Sequence, residues 1–369
     1  MYNIKLNSND ELLVVGFDDG NSKAKISTDD IEVMYDSGVT PLMYTSSGEE
    51  EDKDRDIITI GNDKVAVGES RDSMQRNKVK DNYAIARMLP AVSYAIERYC
   101  ADRNIRLDDS VTRRQKIALA IGTPLTQASV LRKEYIDAFI GSVVAWKYKG
   151  INYEIEIPHV RCYPQNYAPM LKNYNDYFKE KKISIMVDIG GGTTDVMILE
   201  HVRNRITGSS EPVVKNKNSF NVGVIHLLNQ IKRELSVVGI DAREEIILEA
   251  IQGGSFSHKN YEYIQNVCET ITEKFVRELI AMLRENGYDL SYPVFFIGGG
   301  YQLLKSYIDR DKSILMSGSF DALENARAFR WLLETELNKM SDEEKRQIMT
   351  FKCNKEYTLR SKNDDKKAM

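Results

Sequence analysis

The chain has 369 residues, with 51 Lys and Arg against 55 Asp and Glu, and a formal charge of −4. That acidic balance disfavours a broad nucleic-acid-binding face, and no apolar run reaches the ~18 residues needed to span a bilayer. The length suggests two domains of about 150 residues each, enough to bury sizeable cores.

The first strand candidate is Leu12 to Phe17, closed by Asp18-Asp19-Gly20, and a second apolar-alternating stretch runs from Lys23 to Ile26. Together they read as a hairpin on a tight glycine turn. Residues 30–70 read as short strands and loops, with the acidic run Glu49 to Asp52 as a solvated loop tip. Ile85, Met88, Leu89, Val92, Ala95, Ile96 and Tyr99 recur at helical spacing, predicting an amphipathic helix over 82–100 with Pro90 inside it. A buried strand from Lys116 stops at Gly122-Thr123-Pro124. A helix over about 128–140 and a hairpin over about 143–157 follow. A separate strand at His159 to Cys162 ends in Tyr163-Pro164-Gln165-Asn166.

The pattern then restarts. Lys182 to Ile189 is a strand ending in Asp188-Ile189-Gly190-Gly191-Gly192-Thr193-Thr194-Asp195, and Val196 to His201 is the next strand. The two turn aspartates, Asp18 and Asp188, stand 170 residues apart. A repeated supersecondary unit predicts two like-folded domains. Helices over 223–236, 241–252 and 260–286 come next, then a short buried strand, Pro293 to Ile297, ending in Gly298-Gly299-Gly300-Tyr301. A last helix covers about 320–339. Strands alternating with helices give an α/β class with two sheets. From Ser341 onward there are eight basic and six acidic residues and few apolar ones, so 341–369 reads as a mobile tail.

Glycine in a turn after a strand lets backbone approach a ligand, and successive N–H groups there hold phosphate oxygens. An aspartate at the head of such a turn suits Mg²⁺, which bridges carboxylates to phosphates. Asp18 and Asp188 therefore read as a pair of Mg²⁺-water holders, and Gly20-Asn21-Ser22 and Gly190 to Thr194 as two phosphate clamps. GxGxxG, GxxxxGK[ST], GxSxG and HExxH are all absent. The four cysteines, Cys100, Cys162, Cys268 and Cys353, form no CxxC pair, so structural zinc is not expected and the protein reads as reduced and cytoplasmic. Met1 to Leu13 carries neither a signal-peptide core nor an amphipathic membrane face.

Two strand–Asp–Gly hairpins followed by a strand–GGG–helix resemble the actin, sugar kinase and heat-shock-chaperone ATPase superfamily. Val15 to Lys23 is similar to its first phosphate motif, Met186 to Asp195 to its second, and Phe295 to Tyr301 to its adenosine motif. Within the superfamily the chain resembles the bacterial plasmid-segregation actins, the ParM-like group. Ala120 to Leu125, Val160 to Gln165 and Phe320 to Phe329 are similar to three further segments of that group. Ala328 stands where the last of these usually has glycine.

The resemblance implies an actin-like ATPase fold, two like-folded domains with duplicated ribonuclease-H-like cores around a nucleotide cleft. Domain I would be 1–176, with a subdomain inserted at about 30–80. Domain II would be 177–319, with a subdomain at about 210–270, and 320–340 would return to domain I. It implies ATP and Mg²⁺ as cofactors, with Asp18 and Asp188 toward the metal and Gln165 and Asp188 toward the attacking water. Nucleotide contacts would come from Asp19, Gly20, Asn21, Ser22, Lys23, Gly190, Gly191, Gly192, Thr193, Thr194, Gly223, Gly298, Gly299, Gly300 and Tyr301. The implied activity is ATP hydrolysis coupled to self-assembly into filaments. These would move plasmid DNA through an adaptor protein, with no direct nucleic-acid or membrane partner. A small-molecule kinase of the same superfamily and a cell-shape actin are the alternatives.

Overall fold

The computed structural model describes residues 12–42, 55–69, 81, 83–102, 110–203 and 210–359. The acidic run Glu49 to Asp52 and the first eleven residues lie outside them. The chain divides into two compact units: one of residues 1–123, 127–168 and 325–369, the other of 124–126 and 169–324.

The first unit begins with six strands, β1 (Leu12–Asp19), β2 (Lys23–Ser27), β3 (Glu32–Asp36), β4 (Val39–Leu42), β5 (Asp56–Ile60) and β6 (Asp63–Val67). Helix α1 (Ala84–Asp102), β7 (Arg113–Thr123), α2 (Ala128–Phe139), β8 (Ser142–Tyr148) and β9 (Ile151–Pro164) follow. The strands form a sheet in the order β3-β2-β1-β7-β9-β8-β5-β6-β4. β1 is antiparallel to β2 and parallel to β7.

The hairpin and separate strand expected between 143 and 162 are instead β8 and one 14-residue strand, β9. Pro158 lies inside β9 without ending it. The register with β7 slips by one residue there, between Lys116 and Ala118. A bulge accommodates a residue that has no N–H to give the ladder.

The short helix α3 (Tyr167–Lys172) and a wider π turn (Tyr174–Phe178) lead to the second unit's first strand, β10 (Ile183–Ile189). The unit continues through β11 (Thr194–Arg203), β12 (Ser210–Phe220), α4 (Val224–Val237), α5 (Glu244–Ile251), α6 (Tyr261–Glu285), β13 (Val294–Ile297), α7 (Gly299–Ile308) and β14 (Met316–Ser319). Its sheet order is β12-β11-β10-β13-β14. β10 is antiparallel to β11 and parallel to β13. The run β3-β2-β1-β7-β9 in the first unit has the same order and directions, so the repeat read from two aspartates is a repeat of topology.

The chain then returns to the first unit with α8 (Glu324–Lys339), α9 (Asp342–Thr350) and β15 (Lys355–Glu356). Side chains alternate across a strand, and the first unit's sheet uses this unevenly. Leu13, Val15, Phe17, Ile117, Leu119 and Ile121 fill the larger core with α1 and α2. The opposite face offers Val14, Ala118 and Ala120 to Phe329, Leu333 and Leu337 of α8. Gly16 completes this low floor: a Cβ there would stand 2.1 Å from the Ala326 carbonyl oxygen. In the second unit Ile185, Val187 and Ile189 of β10 join α4, α6 and α7 in one core.

Where charge predicted a mobile tail, α9 and β15 are formed. Ser341 Oγ accepts the Glu344 N–H at 3.3 Å and Glu344 Oε2 accepts the Ser341 N–H at 2.7 Å, a reciprocal cap on α9. β15 pairs in parallel with β8, and Leu359 is buried in the larger core. Lys355 Nζ reaches the Asp137 and Ala138 carbonyls at the end of α2, at 3.1 and 2.6 Å. A cation is favoured there by the helix dipole. The last long helix also starts later than expected, at Glu324 rather than Phe320.

His159 on β9 is buried at 8% exposure. Burial, reinforced by the Arg161 guanidinium and opposed by Glu336, pushes its pKa from 6.5 down to about 4. The unfolded chain therefore binds a proton that the folded one refuses between those values. Stability should fall as pH drops from 6.5 toward 4, by about 3 kcal/mol at most for this group. Urea midpoints measured across that window should show the loss, and His159→Gln should flatten it. Equal slopes in both proteins would exclude His159 as the cause.

Candidate nucleotide-binding turns

The two hairpin turns have one geometry. Gly20 N–H donates to the Lys23 carbonyl at 3.1 Å, and Gly190 N–H donates to the Thr193 carbonyl at 2.8 Å. Both glycines thus spend their own donor inside the hairpin. A ligand at either turn has to be met by groups that follow them.

The cross-strand partners differ. Opposite Asp18 in the ladder stands Lys25. Asp18 is 1% exposed, its Oδ2 lies 2.8 Å from Lys25 Nζ, and its Oδ1 accepts from Gln165 Nε2 at 2.8 Å. Opposite Asp188 stands a second carboxylate, Asp195, and both are nearly buried, at 8% and 5%. Thr193 Oγ1 donates to Asp195 Oδ2 at 3.1 Å, and Thr194 Oγ1 to the Val222 carbonyl at 2.7 Å. Like charges facing each other on one sheet face are unfavourable unless a cation or proton joins them.

This separates the two aspartates that the sequence treats alike. Both oxygens of Asp18 already accept a hydrogen bond, one from Lys25 and one from Gln165, whereas Asp188 faces a second carboxylate. Asp188 with Asp195 is the better donor set. Among the described residues no group of three or more His, Cys, Asp or Glu forms a metal cage. Mg²⁺ on phosphates characteristically takes only one or two carboxylates and keeps waters, which this pair can supply.

Gln165 follows β9, and its N–H donates to the Thr123 carbonyl at 2.9 Å. Its neighbour Asn166 is fully buried with φ of 68°, and the Asn166 N–H donates to Asn325 Oδ1 at 3.1 Å. A non-glycine residue held in the left-handed region costs energy, and such strain gathers at functional sites. A carboxylate can only accept, so the Gln165 amide must turn its nitrogen to Asp18. Its oxygen is left to accept from something else.

Other predicted residues are placed as follows. The Asp19 carboxylate is gripped by Arg87, with Oδ1–Nε and Oδ2–Nη2 both at 2.7 Å, so its side chain is not a ligand contact. Lys23 pairs with Asp36 at 2.8 Å and is 41% exposed. Ser37 N–H and Oγ donate to the Ser22 and Asn21 carbonyls, at 3.0 and 2.7 Å. Tyr301 lies in the second unit's core, stacked on Phe296 at 4.9 Å. That placement takes its ring out of a nucleotide contact.

Gly223 is extended, not left-handed, and a Cβ there would meet the Gly191 and Gly190 carbonyl oxygens at 2.6 and 2.7 Å. The Val224 N–H donates to the Gly190 carbonyl at 3.1 Å and the Ile225 N–H to the Gly191 carbonyl at 2.8 Å. The glycine turn is thereby tied to the start of α4.

Gly298 has φ of 95°, and a Cβ on it would stand 2.4 Å from Asp188 Oδ1. Gly299 is exposed, and Gly300 packs on Ile189. Gly298→Ala should cost about 3 kcal/mol or more, combining backbone strain with overpacking. Chemical denaturation would measure it, and an unchanged midpoint would contradict this placement.

Lys25 and Asp195 were missed from the sequence. The signal was available in the hairpin register, because closing each turn fixes which residue faces the aspartate.

Residues 16–167 match the model of the actin-like protein N-terminal domain, and residues 186–310 match that of the C-terminal part of the archaeal actin homologue MreB-like. No curated protein matches the chain. Among solved structures, the archaeal actin homolog Ta0583 in complex with ADP is 17% identical with a TM-score of 0.61, covering 88% of this chain and 100% of that one. A ParM of a 15-stranded filament from Clostridium botulinum is 14% identical with a TM-score of 0.61, covering 88% and 99%. Bacillus thuringiensis ParM with ATP is 13% identical with a TM-score of 0.59, covering 89% and 100%. With both of its halves matched to actin homologues and the same two-unit α/β architecture, this chain belongs to the actin-like proteins.

Proposed function

We propose that the protein binds ATP with Mg²⁺, hydrolyses it, and assembles with itself into filaments that segregate plasmid DNA through an adaptor protein. The observation that carries the reading is the Lys25–Asp18–Gln165 constellation at the head of one turn. The ADP and ATP of two structural relatives and the filament of a third support it. The formal charge of −4 agrees with reaching DNA through another protein.

Phosphoryl transfer to water needs positioning and charge stabilisation more than covalent chemistry. Asp188 and Asp195 would hold Mg²⁺, which would supply positive charge to offset that of the phosphates. Asp18 fixes the Gln165 amide, and the Gln165 oxygen accepts a hydrogen bond from the attacking water and orients it. Lys25 balances Asp18 so that the site does not present a bare carboxylate to an anion. Ser22, Gly191, Gly192 and Thr193 supply turn backbone for the phosphates. The cytoplasm is the compartment proposed.

Mixing the purified chain with Mg-ATP should release phosphate with no added acceptor. Phosphate transfer that appears only when a sugar or carboxylate acceptor is supplied would establish the kinase alternative instead.

A further inference from the structure

Arg87 is the largest fully buried side chain among the described residues, at 0% exposure. It leaves α1 near its start and holds Asp19 with a two-pronged grip. The same guanidinium donates to Asp81, which is 3% exposed. Asp81 in turn accepts the Tyr83 N–H on Oδ1 at 2.9 Å, at the entrance to α1. The Tyr35 hydroxyl donates to the Arg87 carbonyl. Burial works against the Arg87 charge, but Asp19 and Asp81 outweigh it and hold the guanidinium above its ordinary pKa.

Asp19 is the residue directly before Gly20 and directly after Asp18. Successive residues of β1 point to opposite faces. Asp18 is therefore fixed from one face by Lys25 and Gln165, and Asp19 from the other by Arg87. Arg87 sets one positive charge against two carboxylates, and without it both Asp81 and Asp19, the latter at the head of the first turn, would be unbalanced. No direct role in contacting a ligand is needed for Arg87 to matter to an anion bound there.

We propose that Arg87 is a positioning residue of the first phosphate turn, which neutralises Asp19 and thereby lets the turn accept an anionic phosphate chain. The inference rests on the proposed nucleotide reading. It differs from a purely structural tie between α1 and β1 in one respect. A structural tie would depend on packing and hydrogen bonds, whereas neutralisation depends on the charge of the partner.

The test uses the full chain, ATP titrated by calorimetry with Mg²⁺ present, and turnover followed by phosphate release. Arg87→Met should weaken ATP binding by about tenfold or more, the order expected for an unpaired charge facing like charge. Its kcat at saturating ATP should stay within about threefold of wild type, since the Asp18–Gln165 pair is untouched. Adding Asp19→Asn to Arg87→Met should recover most of the lost affinity, and Arg87→Lys should lose far less than Arg87→Met.

Unchanged affinity in a folded Arg87→Met protein would overturn the proposal, as would a double variant that folds yet stays as weak as the single. Should Arg87→Met not fold, the double variant and Arg87→Lys decide. ATP bound at near wild-type strength by both supports neutralisation, and a tenfold loss in both overturns it. Wild-type protein that binds no ATP would instead remove the nucleotide reading itself.

Discussion

Gln165→Ala should slow ATP hydrolysis by about 100-fold while leaving ATP affinity nearly unchanged, because the loss is of one positioned group and not of a phosphate contact. The structure explains why a neutral amide can have that effect. Asp18 Oδ1 accepts from Gln165 Nε2 at 2.8 Å, which dictates the direction of the amide oxygen. Asn166, held at φ of 68° and tied to Asn325, fixes the backbone from which the side chain leaves. Asp18 and Gln165 thus form one device. Asp18→Ala should slow hydrolysis by a comparable factor, and the double variant should be little worse than the poorer single, as for residues that act as a unit. Multiplicative losses would show that they work independently. A Gln165→Ala enzyme turning over at the wild-type rate would reduce Gln165 to a loop residue.

Asp188→Asn should weaken Mg-ATP binding by about tenfold or more and raise the Mg²⁺ concentration needed for binding, since one of two carboxylates offered to the cation is lost. Binding of ATP without Mg²⁺ should be equal or stronger, because a negative charge near the phosphates has been removed. Asparagine keeps the shape of the side chain beside Gly298, where space is tight. The change in affinity then reads charge and not packing. Calorimetric titrations with and without Mg²⁺ measure both arms. Equal loss in both would mean that Asp188 serves the turn's structure.

The topology was legible because two apolar strands ended in the same kind of acidic glycine turn. The glycine that opens each turn has a steric reason: a Cβ on Gly20 would stand 2.6 Å from the Lys23 carbonyl oxygen and one on Gly190 3.1 Å from that of Thr193. The contact of Asp18 with Gln165, 147 residues apart in sequence, was not legible, and the role of Gln165 came from resemblance alone. Periodicity carries no information about which strand ends meet. Lys23 belongs to the segment that resembles the first phosphate motif, whereas Lys25 is found only from the ladder register that sets it opposite Asp18. Tyr301 was assigned to a ligand from its motif, although an aromatic at that position of α7 faces the core. Asp195 closes the segment that resembles the second phosphate motif, and only strand pairing brings it opposite Asp188.

The C-terminal segment fails for a different reason. None of the α9 side chains is fully buried, so no apolar stripe announces the helix. Its start is fixed by the Ser341–Glu344 cap, and its continuation by a short strand and one buried leucine. The Ser-x-x-Glu spacing was the available sign.

Nucleotide control of self-assembly is the central claim, and right-angle light scattering of the purified chain, checked by negative-stain microscopy, tests it most directly. ATP with Mg²⁺ should raise scattering and produce filaments. These should decay as phosphate is released and persist with a non-hydrolysable ATP analogue. ADP alone should give far less polymer. Scattering that stays at the monomer level with ATP while phosphate is released, or filaments equally abundant with and without nucleotide, would contradict the account.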